Sequence, residues 1–95
     1  MQKLLHYNGD GQLQIEGCTF ESICQKYPTP FYMYSSSSIQ KNCNQVMEIS
    51  KNVDLLACYA LKANYNPKLI KLIHGFGFGA DVVSGGELYF ARKAS

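Results

Sequence analysis

No apolar stretch in this 95-residue sequence approaches the roughly 20 residues that a membrane-spanning helix needs. The first residues, MQKLLHY, lack the apolar core of a secretory signal, so we expect a cytoplasmic protein. The net charge is only +2, and the lysines and arginines form no block with interleaved aromatic residues. The sequence therefore predicts that neither a membrane nor nucleic acid is a partner.

The sequence also lacks the cysteine spacing of a metal site or a redox motif. No Cys-x-x-Cys pair is present, and neither His6 nor His74 lies at ligand spacing from a cysteine. We expect reduced and mostly buried thiols, with no bound metal. The cysteines concerned are Cys18, Cys24, Cys43 and Cys58.

What the sequence does contain is an apolar stretch that ends in a lysine. Residues 55–61 form an unbroken apolar run that is too short for a good helix and suits a parallel strand covered on both faces. Because strand side chains alternate in direction, Lys62 would share a face with Ala60 and Cys58. These small side chains leave room beside the amine.

Lys62 has two interpretations. In the first, it ends the strand and places its ammonium in water. In the second, its amine lies at the C-terminal mouth of a β/α barrel, where the catalytic residues of that architecture gather. A low dielectric there would favour the neutral amine, which attacks carbonyl carbons and forms Schiff bases.

Two sequence blocks around Lys62 favour the second interpretation. YALKAN at residues 59–64 is followed by a predicted helix and then by GADVVSGGEL at residues 79–88. In this order the blocks closely resemble the start of the barrel in the diaminopimelate decarboxylase family, which belongs to the pyridoxal-phosphate enzymes of the alanine racemase and ornithine decarboxylase fold type. The resemblance implies that Lys62 is catalytic and binds pyridoxal 5'-phosphate as an internal aldimine. The second block favours the diaminopimelate branch, because the ornithine branch usually replaces the Gly-Gly pair.

Four other polar residues lie near these blocks. Asp81 lies in an otherwise apolar strand, where an ionised carboxylate is costly without a partner. The resemblance places this aspartate near the cofactor lysine, so we expect Asp81 to contribute to cofactor binding. Ser84 and Glu87 have capping-box spacing, and we expect them to cap a helix rather than to catalyse. His74, in the last turn of a predicted helix, is expected to be a surface cap rather than a catalytic base.

The whole pattern predicts an α/β fold. Residues 6–16 alternate as strand, turn and strand, and a helix begins after Thr19 and ends at Pro28. Residues 29–34 are expected to be extended. The remaining predicted elements are helices at about 37–50, 67–74 and from 84, which alternate with strands at 55–61 and about 78–83.

This pattern divides the chain into two parts. We expect residues 1–34 to form an N-terminal β segment, a helix and a connecting strand, and the resemblance implies that the β segment joins a separate β domain. Residues 35–95 should form the first β/α units of a pyridoxal-phosphate-binding (β/α)8 barrel of the alanine racemase type, with two parallel and adjacent strands. A complete barrel needs roughly 250 residues, so we expect this chain to be a piece of a longer protein.

The resemblance also implies a function, the pyridoxal-phosphate-dependent decarboxylation of meso-diaminopimelate to L-lysine in lysine biosynthesis. The implied partners are a small amino-acid substrate and, for the full-length protein, a second copy in a homodimer. The 95-residue chain alone is expected to be inactive, since phosphate-binding and substrate-binding residues are expected beyond Ser95. Three alternatives remain. They are a decarboxylase of the same fold type acting on ornithine, arginine or carboxynorspermidine, a pyridoxal-phosphate-binding protein without catalytic activity, and an inactive fragment.

Overall fold

The computed structural model describes residues 3–94. Contacts within the chain divide it into two compact units, Met1–Ser38 and Ile39–Ser95. The predicted division at residues 34 and 35 stays a prediction. The first unit contains an antiparallel sheet followed by a helix, which are β1 (Leu5–Tyr7), β2 (Leu13–Ile15), β3 (Cys18–Thr19) and α1 (Phe20–Lys26).

The predicted hairpin is confirmed, and a third strand extends it. Leu5 of β1 pairs with Ile15 of β2. Glu16 and Gly17 then join β2 to β3 in a tight turn with positive φ angles of 51° and 79°, which matches the twist of antiparallel strands. The sequence did not predict β3, because two residues are too few to show an alternating pattern. Thr19 caps α1 as predicted.

Glu16 also reaches the start of helix α2 (Ser36–Ser50). Its carboxylate accepts a 2.6 Å hydrogen bond from the Ser35 hydroxyl and a 2.8 Å bond from the Ser37 amide, and the Ser37 hydroxyl donates to the same oxygen. Ser35 precedes this helix, and its hydroxyl accepts from the Ser38 amide at 3.1 Å. The two side chains therefore satisfy first-turn amides that have no partner inside the helix.

These hydrogen bonds make folding sensitive to acid. They lower the pKa of Glu16 from 4.5 to about 2, and the Ser35 hydroxyl makes the largest contribution. Because the folded-state pKa lies below the unfolded value, the stabilisation is complete above pH 4.5 and is lost as the pH falls toward about 2. We predict that Glu16→Gln destabilises the full-length protein at neutral pH and reduces its loss of stability across this acid range. Urea denaturation at several pH values measures both effects.

The matched control for this prediction is Glu21→Gln, which removes an exposed carboxylate from the first turn of α1. It should leave most of the acid dependence in place. If Glu16→Gln and wild type lose stability in parallel as the pH falls, the hydrogen bonds to Glu16 do not stabilise the fold.

The second unit has β/α alternation. Strand β4 (Cys58–Ala60) leads through a single 3-10 turn (Leu61–Ala63) to helix α3 (Pro67–His74), and strand β5 (Gly79–Asp81) leads to helix α4 (Gly85–Ala94). The two strands are parallel neighbours, as predicted. One face of this sheet packs against the helices, where Leu61, Ile70 and Ala94 form a buried cluster.

Helix α3 begins and ends where the sequence predicted. The Asn66 side chain accepts a 3.0 Å hydrogen bond from the Lys68 amide, and Pro67 occupies the first turn. Gly75 follows the last helical residue. These signals lie within the helix or directly beside it, so they are visible in the sequence.

The predicted strand over residues 55–61 is wrong in both length and burial. Within residues 3–94, the segment that pairs is Cys58–Ala60, and Leu55 and Leu56 are 50% and 71% exposed. A strand extends only as far as its hydrogen-bonding partner, and β5 has three residues. The sheet is covered on one face rather than two in the described residues, since Tyr59 packs against the buried cluster while Cys58 is exposed.

The predicted connecting strand over residues 29–34 is absent from the part of the chain that the structure describes. The peptide bond between Thr29 and Pro30 is cis, and residues 31–35 have no regular secondary structure. A strand needs a neighbour for its amide and carbonyl groups. The preference of residues 29–34 for extended backbone does not supply such a neighbour. Tyr32 in this segment is 94% exposed.

The prediction of mostly buried thiols is also wrong. Cys43 is buried, whereas the other three cysteines are exposed. Burial raises the pKa of the Cys43 thiol. In residues 3–94, no three His, Cys, Asp or Glu side chains are grouped so that they could hold a metal ion. None of the helices in that range combines the length and the apolar character needed to cross a bilayer.

Candidate functional site

Lys62 lies in the 3-10 turn directly after β4, rather than on the strand itself. Its side chain is exposed, whereas the preceding residue, Leu61, has a relative exposure of 0%. Leu61 packs in the buried cluster with residues of α3 and α4, and this packing holds the turn in place. The adjacent lysine is therefore held on the surface by a buried neighbour.

Side chains of the YALKAN block close this turn. The Tyr59 hydroxyl donates a 2.8 Å hydrogen bond to the Asn64 carbonyl oxygen, across the residues that include Lys62. The Asn64 side chain accepts a 2.9 Å bond from the Asn66 amide. Since Asn66 caps α3, the turn is connected to the start of that helix. Sequence reasoning assigned no role to Tyr59 or Asn64, although both lie in the same six-residue block as Lys62.

Asp81 ends strand β5 directly opposite Ala60, which ends β4. Lys62 follows Ala60 by two residues, so Asp81 and the lysine turn lie at the carboxyl edge of the same two strands. Asp81 is exposed among the described residues. The expectation that its carboxylate is buried, and therefore costly without a partner, is wrong. The predicted role of Asp81 in cofactor binding stays a prediction.

The face of the sheet that the helices leave uncovered bears small side chains. Cys58 and Ala60 alternate on this face of β4, and Gly79 lies opposite Cys58 on β5. A Cβ atom at Gly79 would lie 3.0 Å from the Cys58 Sγ atom, so glycine allows the two strands to meet here. Lys62 is exposed in the turn that directly follows β4. An exposed primary amine fits a cofactor that binds through an aldehyde.

This close approach gives a prediction for Gly79. We expect Gly79→Ala to destabilise the full-length protein by about 0.5 to 1 kcal/mol, because the added Cβ atom lies 3.0 Å from the Cys58 Sγ atom and displaces that exposed side chain from its rotamer. Cys58→Ala in the same protein removes the Sγ atom and should recover most of the loss. Urea denaturation of wild type, both single variants and the double variant measures this coupling. Strictly additive free energies would contradict it.

The other predicted polar residues have structural contacts. The Glu87 amide donates to the Ser84 hydroxyl at 3.1 Å, which confirms the predicted cap of α4. The Glu87 carboxylate accepts from the Val83 amide at 3.2 Å, one residue before the partner expected for a capping box. His74 donates through Nδ1 to the Phe78 carbonyl oxygen at 3.0 Å. It therefore holds the loop before β5 and does not cap the end of its own helix.

Part of this sequence matches a known protein family, and nearly all of it is similar to known proteins. The family model described as "Pyridoxal-dependent decarboxylase, pyridoxal binding domain" matches residues 36–95. The diaminopimelate decarboxylase of Aquifex aeolicus is 46% identical over an aligned length of 99, and the alignment covers 99% of this chain and 23% of that protein. The diaminopimelate decarboxylase of Methanocaldococcus jannaschii is 38% identical over an aligned length of 92, and the alignment covers 90% of this chain and 21% of that protein.

Solved structures are similar over nearly the whole chain. The crystal structure of diaminopimelate decarboxylase from M. jannaschii superposes with a TM-score of 0.84 at 34% identity, covering 96% of this chain and 22% of that one. The structure described as a co-complex of that enzyme with L-lysine has a TM-score of 0.83 at 34% identity. This chain thus spans less than a quarter of the length of these relatives. The similarity confirms the predicted α/β fold, as the N-terminal part of a pyridoxal-phosphate-binding barrel.

Proposed function

This chain belongs to the pyridoxal-dependent decarboxylase family, and from that membership we propose that the protein it forms part of decarboxylates meso-diaminopimelate to L-lysine. The observation that carries the proposal is the exposed Lys62 amine, held on a closed turn at the carboxyl edge of two parallel strands. The carboxyl edge is where enzymes of barrel architecture place their catalytic groups. The family model that matches residues 36–95 describes a pyridoxal-binding domain, which supports pyridoxal 5'-phosphate as the cofactor.

Each residue of the site has a proposed task. Lys62 holds the cofactor covalently through its amine. When bound, the cofactor supplies an electron-accepting ring for the electron pair that is released as carbon dioxide leaves the substrate. Leu61 packs in the core and fixes the start of the turn that presents the amine. Asp81 offers a carboxylate at the same edge, where it would attract the cationic form of the lysine or of the substrate amine.

The proposed substrate and partners are inferred from the relatives and not from residues of this chain. The L-lysine in the M. jannaschii structure supports a small amino acid as the ligand. We also propose that the full-length protein is a homodimer in the cytoplasm. The expected absence of nucleic-acid and membrane partners stays a prediction. The identity of 46% to a diaminopimelate decarboxylase favours this substrate over ornithine, arginine and carboxynorspermidine.

The test uses the full-length protein supplied with pyridoxal 5'-phosphate. Borohydride reduction followed by proteolysis and peptide mapping should place the reduced cofactor on Lys62. Carbon dioxide release should then be faster from meso-diaminopimelate than from ornithine, arginine or carboxynorspermidine. A cofactor label on another lysine would contradict the assigned site. A label on Lys62 without carbon dioxide release from these amino acids would support the non-catalytic alternative.

A further inference from the structure

The turn that bears Lys62 is closed by the Tyr59 hydroxyl, a group that takes no part in the proposed chemistry. We infer that Tyr59 is a positioning residue, whose hydrogen bond to the Asn64 carbonyl oxygen fixes the place of the Lys62 amine. This inference rests on the proposed function, because the position of the Lys62 amine matters only if that amine binds the cofactor. It concerns the backbone that bears the lysine and not the bond to the cofactor.

The Tyr59 side chain is suited to this role because its ring and its hydroxyl make different contacts. The ring packs against the buried cluster that includes Leu61, so the direction of the side chain is set by the core. The hydroxyl extends beyond the core to the Asn64 carbonyl oxygen at 2.8 Å, five residues further along the chain. One side chain thus connects the rigid strand before the turn to the segment after it.

The segment after the turn is held by two further contacts. The Asn64 side chain accepts from the Asn66 amide at 2.9 Å, which joins the segment to the cap of α3. The ring of Tyr65 lies 5.3 Å from that of Phe90 on α4, measured between ring centroids. Lys62 therefore lies in a short loop with both ends fixed. The Tyr59 hydroxyl is the link between those ends.

A fixed backbone matters for a lysine in particular. The side chain has a flexible four-carbon stem, so the place of its amine is defined only if the backbone below it is defined. Reaction at a carbonyl carbon requires the two atoms in a narrow range of distances and directions. Removing the Tyr59 hydroxyl keeps the ring in the core and leaves the turn free to open. The expected result is a folded protein whose amine is poorly placed.

The experiment compares Tyr59→Phe with Tyr89→Phe in the full-length protein. Both changes remove one hydroxyl, and Tyr89 lies on the exposed side of α4 with 60% exposure. The first measurement is the rate at which pyridoxal 5'-phosphate becomes covalently attached to the cofactor-free protein. The second is the pH midpoint of the absorbance of the attached cofactor. Thermal unfolding of each variant reports its folding.

Tyr59→Phe should attach the cofactor about tenfold more slowly than wild type, which is the size of effect that one lost hydrogen bond produces. Its pH midpoint should shift, a change that a purely structural role would not cause. Tyr89→Phe should match wild type in both measurements. A Tyr59→Phe protein with wild-type rate and midpoint would overturn the inference. Wild-type protein without a label on Lys62 would instead contradict the proposed function.

A second variant covers the case in which Tyr59→Phe does not fold. Asn64→Ala removes the bond to the Asn66 amide and frees the far end of the same turn. It should also slow cofactor attachment severalfold and shift the pH midpoint. If it attaches the cofactor at the wild-type rate, the closed turn does not position the amine and the inference is wrong.

Discussion

Lys62→Ala is expected to abolish the covalent attachment of pyridoxal 5'-phosphate and to slow decarboxylation of meso-diaminopimelate by on the order of a thousandfold or more. Alanine removes the only part of this residue that can react with an aldehyde. The Lys62 side chain is exposed, so the variant should fold as wild type does. Borohydride labelling measures attachment, and initial rates of carbon dioxide release measure activity.

Two further variants separate the nucleophile from the charge. Lys62→Arg keeps a cation at the same place but removes the nucleophile, since arginine stays protonated in proteins. It should be as inactive as Lys62→Ala. Lys71→Ala, which removes an exposed lysine in the last turn of α3, should retain the label and the activity. An active Lys62→Arg protein would show that the site needs only a positive charge there.

The parts of the fold that the sequence predicted correctly depend on contacts between close neighbours in the chain. The Asn66 cap reaches Lys68, and the Ser84 cap reaches Glu87. Signals of this kind act over two or three residues, and a residue type at a fixed spacing is enough to indicate them. The role of Lys62 stays a prediction, which rests on the resemblance of the continuous YALKAN block to a known family.

The parts that the sequence did not predict depend on distant partners. Glu16 stabilises the start of α2 from a turn that precedes Ser37 by 21 positions, and no local pattern connects the two. The length of β4 is set by β5, and the exposure of Leu56 is set by which elements cover it. An apolar run indicates what a segment would bury but not what is present to bury it. The strand predicted for residues 55–61 is wrong for this reason, because no element of the described chain covers Leu55 and Leu56.

The lysine turn and the core are adjacent, because Lys62 directly follows Leu61, the largest fully buried side chain in residues 3–94. Leu61 has a relative exposure of 0% and contacts a cluster to which β4, α3 and α4 all contribute. Truncation of a buried leucine removes its transfer free energy and leaves a cavity that neighbours fill only in part. We therefore expect Leu61→Ala to lower the free energy of unfolding of the full-length protein by about 2 to 5 kcal/mol. Urea denaturation measures the change.

The same substitution should also weaken the site, since the anchor of the lysine turn is lost along with the packing. Cofactor attachment by Leu61→Ala should slow even under conditions in which the protein is fully folded. Leu61→Met preserves most of the buried volume and should cost less than about 1.5 kcal/mol. Leu88→Ala is the surface control, because Leu88 is 49% exposed on α4, and its effect should stay within about 0.5 kcal/mol. A Leu61→Ala protein that loses stability but attaches the cofactor at the wild-type rate would show that the core holds the fold without positioning Lys62.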